Sequence, residues 1–428
     1  MVLALLCVVF LGSILLSLPL VWAILLTATS PILLLGLDYP LEALSLSYVN
    51  GIEPFTYIAI PLFITAGELM NRGGMGVRIV RFAQALLGFL PGGLGVVSVA
   101  ASMVFGGISG SALADTAAVG SIMIPNLSRQ GYTRGFAAAL IATAGTIGII
   151  VPPSIPLLVY GFVASVSISD LWLAGIVPGV LFALALVTYC VWIGYSTGCD
   201  RGGHQASLSE ICQALIACLP ALLMPVLIVG AIFSGAFTPT EAAGLAVIYG
   251  LLVACVINRE LRWQDVPKLL VDSFITSAVV MLVIGATAAL AWIIAAEQMP
   301  AILGSLVRNY AGGTWSFLLS VNLVLLILGH VLEPVPAIIL CVPLFLPIAR
   351  SFGVEPVHLG IIMACNLALG LFTPPIGVTL FVATRIAGIP VFSIMRELAP
   401  LFLIGLIVLA LITYVPALSL TLGSVIRG

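Results

Sequence analysis

The amino-acid sequence predicts an all-α protein that crosses a membrane several times. Hydrophobic residues make up 62% of the 428 positions and charged residues only 7%, with a mean hydropathy of +1.30, whereas soluble domains carry roughly 25% charged residues. A water-soluble fold is therefore excluded. A helical span requires about 20 mostly apolar residues, and on that basis the chain holds roughly ten to twelve predicted spans. Clear apolar runs are Val2–Leu18, Leu208–Phe233, Phe317–Leu328 and Leu401–Tyr414.

These apolar runs favour helices over a transmembrane barrel. Backbone polar groups must be paired inside lipid, so spans are either helices or strands of a closed barrel. The runs lack the alternation of every second residue that is typical of barrel strands. The first run, Met1–Leu35, has no basic start and is too long for the apolar part of a signal peptide. We interpret it as a retained membrane helix, bent near Pro19.

Charge and cysteine content indicate a limited set of partners. The net charge is −2, and the chain has no lysine and arginine cluster of the kind that binds nucleic acid. We therefore expect the lipid bilayer, and no nucleic acid, as a partner. The eight cysteines lie mostly in apolar runs and form no CxxC pair, which predicts neither a disulfide framework nor a zinc site.

The chain also contains an internal repeat. The stretch Ile124–Gly161 resembles Leu346–Ala383 without a gap, and its prolines and glycines recur 222 positions later. The matching pairs are Pro125 with Pro347, Gly131 with Gly353, Pro152 and Pro153 with Pro374 and Pro375, and Gly107 with Gly329. We predict a first half at 1–196, a polar, solvent-exposed linker at 197–210 and a second half at 211–428. Because duplicated halves of membrane proteins are often related by an axis in the membrane plane, we expect the two halves to be inverted in the membrane.

Each half contains a double proline inside an apolar segment, at Thr146–Pro156 and at Leu369–Gly377. A proline removes a backbone donor and disturbs the carbonyl of the preceding turn, so two together predict a broken helix with freed carbonyl oxygens. We place these broken helices near 135–166 and near 357–388. The freed oxygens suit a hard cation such as Na⁺. A kink that serves only packing is the alternative interpretation.

Upstream of each break, a glycine-rich or acidic stretch predicts a re-entrant hairpin with a polar tip. The first, Gly106–Asp115, places hydroxyl and carboxyl groups inside an apolar run, and the second, Gly329–Glu333, adds His330 and a carboxylate. Small residues also permit close helix packing, which is the alternative here. A carboxylate at membrane depth is costly and usually faces a cavity or a partner. We place the two hairpins near 105–124 and near 329–347.

Candidate sodium-binding and substrate-binding residues therefore lie at the hairpin tips and the breaks. They are Gly107, Ser109, Ser111, Asp115, Thr143, Thr146, Val151, Pro152, Pro153, Gly329, Glu333, Asn366, Thr373, Pro374 and Pro375. The threonines have an alternative role, because a buried threonine often bonds its own helix backbone. For Glu68, Glu241 and Asp272 we prefer a structural role, in which Glu68 ends a helix and Glu241 caps one. Arg385 is the arginine nearest to a break.

The distribution of basic residues indicates which end of the molecule faces the cytoplasm. Arg72, Arg78 and Arg81 form one basic run, and Asn258–Lys268 forms another. By the positive-inside rule both are expected on the cytoplasmic side.

Other function classes have less support in the sequence. Walker A, HExxH and GxSxG motifs are absent, so ATP hydrolysis, zinc proteolysis and a hydrolase serine find no support. An intramembrane enzyme that uses Asp115, His330 and Glu333 remains a second hypothesis. A proton-coupled antiporter or channel is a third.

Five longer strings resemble the large M subunit of tripartite ATP-independent periplasmic (TRAP) transporters. They are Ile60–Gly74, Phe105–Pro125, Gly148–Gly161, Phe237–Gly250 and Leu369–Ala383. The resemblance covers nearly the whole chain. It implies a multi-pass protein of the bacterial inner membrane with an elevator mechanism, in which a scaffold stays still while two hairpins and two broken helices carry the cargo.

The same resemblance implies partners and ion sites. Expected partners are a small four-helix Q subunit on a separate chain and a periplasmic binding protein that delivers an organic anion, such as sialic acid or a C4-dicarboxylate. Na⁺ is the expected coupling ion, with no other cofactor and no enzymatic activity. One implied sodium site holds Ser109, Ser111 and the break at Val151–Pro153. The other lies near Gly329, Glu333, Asn366 and the break at Thr373–Pro375.

Overall fold

The computed structural model describes residues 1–200, 202, 205–310, 313–374 and 377–427, and within these ranges the chain is helical without a β-strand. The helices of the first half are α1 (Val2–Leu15), α2 (Leu20–Leu35), α3 (Leu41–Ile52), α4 (Ala59–Arg72), α5 (Met75–Leu87), α6 (Gly93–Ser109), α7 (Ala112–Arg129), α8 (Arg134–Ala144), α9 (Ile155–Ala164) and α10 (Ile168–Thr197). Those of the second half are α11 (Leu208–Phe233), α12 (Pro239–Leu251), α13 (Val266–Ala296), α14 (Met299–Tyr310), α15 (Thr314–Gly329), α16 (Pro334–Ser351), α17 (Pro356–Leu371), α18 (Val378–Ala387), α19 (Met395–Tyr414) and α20 (Ala417–Arg427).

The all-α membrane fold is confirmed, but with fewer full spans than the ten to twelve predicted. Among the described residues, six helices are long and apolar enough to cross a membrane, and α3 with α4 adds a seventh if this pair, bent by 56°, is one span. Eight further apolar helices have only 10–17 residues. Hydropathy alone does not distinguish these shorter helices from full spans, because both are equally apolar.

The N-terminal segment differs from the predicted single bent helix. It forms two helices, α1 and α2, which pack against each other. The turn between them has Ser17 at a φ of 57°, and Pro19 directly precedes α2. At that position the missing N–H of proline breaks no helical hydrogen bond, so the chain reverses instead of bending.

A central bundle is formed by helices from both halves. In this bundle α8 packs on α7 and α18, α9 packs on α16, and α15 packs on α17. Every residue of α17 from Val357 to Leu371 is buried. Outside the bundle, α3 and α4 pack on α13, and α4 also packs on α12. The molecule therefore has an inner set of hairpins and broken helices and an outer set of longer helices.

Helix boundaries recur at the spacing of the sequence repeat. Helices α7 and α16 begin at Ala112 and Pro334, 222 positions apart, and both have 18 residues. Gly131 and Gly353, two residues beyond their ends, have φ angles of 95° and 73°, a region that glycine enters without steric cost. An inverted relation between the halves stays a prediction.

In both halves a helix ends before the double proline and another begins after it, as predicted. Helix α8 ends at Ala144, a 3₁₀ turn follows at Gly145–Ile149, and α9 begins only at Ile155. In the second half, α17 ends at Leu371 and α18 begins at Val378. Pro375 lies outside the described residues.

The hairpins are longer than the predicted segments near 105–124 and 329–347. Helices α6 and α7 have 17 and 18 residues and meet at Gly110 and Ser111. Helices α15 and α16 meet through His330–Glu333. The polar residues that predicted the hairpins mark their tips, whereas the apolar arms continue on both sides.

The described part of the linker is attached to the first hairpin instead of being only solvent-exposed. The Asp200 carboxylate accepts a hydrogen bond from the Leu94 N–H at 2.7 Å, and the Asp200 carbonyl accepts one from the Gly92 N–H at 2.8 Å. These bonds satisfy donors at the start of α6, which would otherwise lack partners. Ser207 and Glu210 then form a capping box at the start of α11.

In each half, two glycines bring the hairpin and the broken helix into backbone contact. Gly148 lies against Gly106, and Gly370 lies against Gly329. A Cβ atom on Gly370 would be 2.6 Å from the Gly329 Cα atom. Neither Gly148 nor Gly370 has room for a side chain, so both positions require glycine.

Alanine at either contact is expected to lower stability. Gly148→Ala and Gly370→Ala each force backbone apart from backbone, and overpacking of this kind typically costs about 1–3 kcal/mol. The measurement is the apparent Tm of the purified protein by size-exclusion chromatography after heating. Gly244→Ala in α12 is the matched control, because its Cβ would have no atom within 4 Å. A Tm that is unchanged in both variants would contradict the close contacts.

Candidate functional site

A cavity of about 550 Å³ lies where the hairpin tips and the breaks face α4 and α13. The first tip contributes Ser109–Ala114, the second contributes Glu333–Val335, and the breaks contribute Ile149, Ile155, Pro156 and Leu371. The opposite wall consists of Ile64, Gly67, Glu68 and Arg72 of α4 with Asp272, Ser273, Thr276 and Val280 of α13. Three predicted residues, Ser109, Ser111 and Glu333, thus line one space.

The first hairpin tip lies on the carbonyl oxygens of the first break. A Cβ atom on Gly107 would be 3.3 Å from the Pro152 carbonyl oxygen, and one on Gly110 would be 2.8 Å from that of Pro153. The same Cβ atom on Gly107 would be 3.8 Å from Cγ1 of Val151. The structure therefore brings Gly107 together with the predicted residues Val151, Pro152 and Pro153, because glycine lets the tip approach the broken backbone closely.

Asp115 occupies the first turn of α7 and is fully buried. One carboxylate oxygen, Oδ1, accepts a hydrogen bond from the Ser109 hydroxyl. The other, Oδ2, has no hydrogen-bond partner and lies against Gly106 and Gly148. A buried carboxylate of this kind is costly unless a cation or a proton compensates it.

The oxygen atoms at this tip suit a hard cation. Ser111 caps α7 by accepting from the Ala114 N–H at 3.5 Å, next to the Ser109 hydroxyl and the Asp115 carboxylate. Carboxylate, hydroxyl and backbone carbonyl oxygens are the ligands that hard cations prefer. With an unpartnered Asp115 oxygen among them, this set of residues fits Na⁺.

The three candidate threonines have a different arrangement. Thr143 and Thr146 are buried, and their hydroxyls donate to the carbonyls of Ala139 at 2.9 Å and of Thr143 at 2.8 Å. The Thr373 hydroxyl donates to the Leu369 carbonyl at 2.5 Å. None of the three is among the described cavity residues. Their hydroxyl protons are engaged by helix backbone, as the alternative interpretation expects.

The remaining candidates of the second half are dispersed. Gly329 packs on Gly370, and Glu333 precedes α16 with its side chain exposed to the cavity. Pro374 follows Thr373 in the second break. Asn366 is not among the described cavity residues and is buried in α17. The first-half candidates thus converge more closely than those of the second half.

Asn366 belongs to a buried network that joins three helices. Its amide nitrogen donates to the carbonyl and the side-chain oxygen of Asn322 in α15, at 3.0 and 2.7 Å. The Asn322 amide donates in turn to the Thr413 hydroxyl of α19 at 3.0 Å. The Asn366 side-chain oxygen has no partner. The network fixes the amide and leaves this oxygen as a free acceptor.

Sequence reasoning missed the polar wall of the cavity. Arg72 donates from Nε to Glu68 at 2.6 Å and from Nη2 to Asp272 at 2.9 Å. The sequence alone favours structural roles for both acids and places Arg72 in a basic run. Arg385, the arginine nearest to a break in sequence, is absent from the described cavity residues. In the sequence, the four-residue spacing of Glu68 and Arg72 on one helix face indicates that the two side chains pair.

The two basic segments meet at the same end of the molecule. The Asn258 amide donates to the Gly73 carbonyl at 2.9 Å, and Arg78 pairs with Glu260 at 3.3 Å. Arg72, on the cavity wall, lies directly before Gly73. The cavity therefore lies close to the end that the positive-inside rule predicts to be cytoplasmic.

The residues of the enzyme hypothesis do not form a metal site. Within the part of the chain that the structure describes, no group of three or more His, Cys, Asp or Glu side chains is placed to hold a metal ion. His330 is bonded through Nδ1 to the Leu326 carbonyl of its own helix, and Asp115 is bonded to Ser109. All eight cysteines fall within the described ranges as free thiols.

Comparison with protein families gives a match over most of the chain. The family model described as "Tripartite ATP-independent periplasmic transporter, DctM component" matches residues 7–418. The chain is 39% identical over 381 residues to the C4-dicarboxylate TRAP transporter large permease protein DctM of Pseudomonas aeruginosa, with 89% of each chain covered.

Two further relatives are similarly close. The chain is 38% identical over 384 residues to the sialic acid TRAP transporter large permease protein SiaM of Vibrio cholerae, with 89% of each chain covered. It is 38% identical over 381 residues to the isethionate TRAP transporter permease protein DctMQ of Oleidesulfovibrio alaskensis, with 89% of this chain and 60% of that protein covered.

A solved structure shares the fold. The YdaH transporter of Alcanivorax borkumensis matches with a TM-score of 0.57 over 87% of this chain and 88% of that one, at 14% sequence identity. At this identity the match concerns the fold alone.

The amide network predicts energetic coupling between Asn366 and Asn322. Asn366→Leu is expected to lower stability by about 1–3 kcal/mol, because Asn322 keeps buried acceptors without their donor. If the pair interacts as described, Asn322→Leu together with Asn366→Leu costs less than the sum of the single substitutions. The measurement is a double-mutant cycle on apparent Tm. Strictly additive effects would contradict the interaction.

Proposed function

Because the chain belongs to the family of DctM components of tripartite ATP-independent periplasmic transporters, we propose that it is the large membrane subunit of a Na⁺-coupled secondary transporter for an organic anion. The chain is a multi-pass inner-membrane protein. One observation carries the proposal: the tips of two hairpins and the ends of two broken helices meet at one cavity, facing α4 and α13. The family of this chain consists of transporter permeases, and the proposed function includes no enzymatic step.

The proposed transport mechanism is an elevator. Helices α6–α9 and α15–α18 form the moving unit, which the mutual packing of α8 with α18 and of α9 with α16 supports. Helices α4 and α13 belong to the static side. The moving unit and the static side approach closely at Gly67 of α4, since a Cβ atom there would be 3.2 Å from the Ser109 carbonyl oxygen. A glycine at a sliding contact lets one backbone pass another.

Na⁺ is proposed as the coupling ion at the first tip. The buried Asp115 oxygen without a partner requires a compensating charge. The adjacent Ser109, Ser111, Pro152 and Pro153 supply further oxygens within the same small region. A proton on Asp115 would also compensate the charge, which makes proton coupling the alternative to test.

The proposed partners are a small membrane subunit and a periplasmic binding protein. The family description is that of a tripartite system, and the name DctMQ of the longer relative supports a second membrane component. The relatives named for C4-dicarboxylates and for sialic acid support an organic anion as cargo. In the state that the structure describes, the cavity lies near the basic end, so we infer an inward-facing transporter.

Uptake into proteoliposomes tests this function. Vesicles that contain this chain and its small subunit, with the cognate binding protein outside and an inward Na⁺ gradient, are expected to accumulate labelled sialic acid or succinate. Loss of uptake without Na⁺ or without the binding protein would agree with the proposal. Uptake that needs neither, or that follows a pH gradient without Na⁺, would contradict it.

Substitutions at the first tip test the ion site. Ser111→Ala and Asp115→Asn are expected to raise the Na⁺ concentration for half-maximal uptake, by about tenfold if each ligand contributes about 1.4 kcal/mol. Asn366→Ala is expected to weaken Na⁺ activation as well, since its free oxygen is a second candidate ligand. Thr143→Val is the matched control, because its hydroxyl bonds its own helix. Unchanged Na⁺ dependence in all three tip and network variants would remove the assignment.

A further inference from the structure

The cavity has an uneven charge distribution. Of its described lining residues, Arg72 is the one basic side chain, whereas Glu68, Asp272 and Glu333 are acidic. Ser109, Ser111, Ser273 and Thr276 supply hydroxyl groups. An organic anion that enters this cavity therefore meets a single guanidinium, together with acidic and hydroxyl groups, among lining residues that are mostly apolar.

The guanidinium is held by bonds that an incoming anion is able to replace. Arg72 donates to Asp272 from Nη2, and these side chains are 36% and 42% exposed, so the pair lies in a solvated part of the cavity. Ion pairs with this exposure are weak, because water screens both charges. A ligand carboxylate offers the same oxygen geometry to a planar guanidinium as Asp272 does.

A second polar group on the same wall lacks a partner. Ser273 follows Asp272 in α13 and is 2% exposed, and its hydroxyl has no hydrogen-bond partner. The same residue lines the cavity. A buried hydroxyl without a partner is unfavourable, so we expect an oxygen of a bound ligand to accept the missing hydrogen bond.

We propose that Arg72 binds the carboxylate of the transported anion, that Ser273 bonds the same ligand, and that Asp272 is a competitor that returns to Arg72 when the anion leaves. This assignment rests on the proposed transport function. It also restricts the cargo: a second carboxylate would meet Glu68 or Glu333 and no second guanidinium. The cavity therefore selects hydroxylated monocarboxylates, of the sugar-acid class, over dicarboxylates.

Chemical protection of Arg72 tests the binding step without requiring transport. Phenylglyoxal, which modifies accessible guanidinium groups, is applied to the purified complex of this chain with its small subunit, and modification of Arg72 is followed by peptide mass spectrometry. Sialic acid and gluconate are expected to slow the modification by about threefold at twice their Kd, since the free fraction falls as ligand binds. Succinate is expected to protect only at higher concentration, and uncharged mannitol not at all.

Variants separate the two proposed roles. Asp272→Asn removes the competitor, and the protecting concentration of gluconate or sialic acid is expected to fall by about two- to fivefold, the range that a partly exposed ion pair allows. Ser273→Ala is expected to raise the concentration of gluconate or sialic acid that protects Arg72. Arg81, an exposed arginine on α5 outside the described cavity residues, is the internal control, and its modification rate is expected not to change with any anion.

The outcomes distinguish this inference from the proposed function. Protection of Arg72 by the sugar acids in a protein that transports nothing would support Arg72 as an anion-binding residue and overturn the transport proposal. Equal modification of Arg72 with and without every carboxylate, in both the natural protein and Asp272→Asn, would overturn the inference. Stronger protection by succinate than by gluconate and sialic acid would overturn the assigned cargo class.

Discussion

The requirement that every backbone polar group inside a membrane be paired governs this structure. Two helices are interrupted in the middle of the bundle, and each interruption is compensated by nearby side chains. The Ser154 hydroxyl donates to the Ile149 carbonyl at 2.5 Å and accepts from the Leu157 N–H at 3.3 Å. The Thr379 hydroxyl donates to the Leu371 carbonyl at 2.9 Å. Because the Pro152 and Pro153 carbonyls lie against the first hairpin tip, the first interruption also supplies oxygens to the site.

Close backbone contact connects this constraint to function. The contacts of Gly148 with Gly106 and of Gly370 with Gly329 place each hairpin directly on a broken helix. A bulkier residue at Gly106 or Gly148 would separate the Pro152 and Pro153 carbonyls from the first hairpin tip. The unpartnered Asp115 oxygen lies at the first of these contacts. Stability and the proposed ion binding therefore depend on the same close backbone contacts, so substitutions there are expected to affect both.

Much of this arrangement was predictable from the sequence, because prolines and glycines act locally. The two double prolines predicted the breaks, and the polar residues at Ser109, Ser111 and Glu333 marked the hairpin tips. The contribution of Asp272 to the polar wall was not predictable, since Arg72 and Asp272 are 200 positions apart and meet only through the packing of α4 on α13. The predicted ten to twelve spans exceed the six or seven described helices that are long enough to cross a membrane, because hydropathy measures how apolar a segment is and not how long its helix is.

The attachment of Asp200 to the start of α6 has a consequence for biosynthesis. The hydrogen bonds and close backbone contacts described above for the first break and its hairpin tip are made by residues up to Asp200, before the second half begins. N-terminal segments leave the ribosome first and begin to fold while synthesis continues. The first break and its hairpin tip thus form these contacts before α16, α17 and α18 have been made, whereas the Tyr160 hydroxyl of α9 gains its acceptor, the Pro356 carbonyl, only from the second half. A nascent chain that pauses at the inter-half junction would already hold these contacts, but it would still expose the faces of α8 and α9 that later pack on α18 and α16.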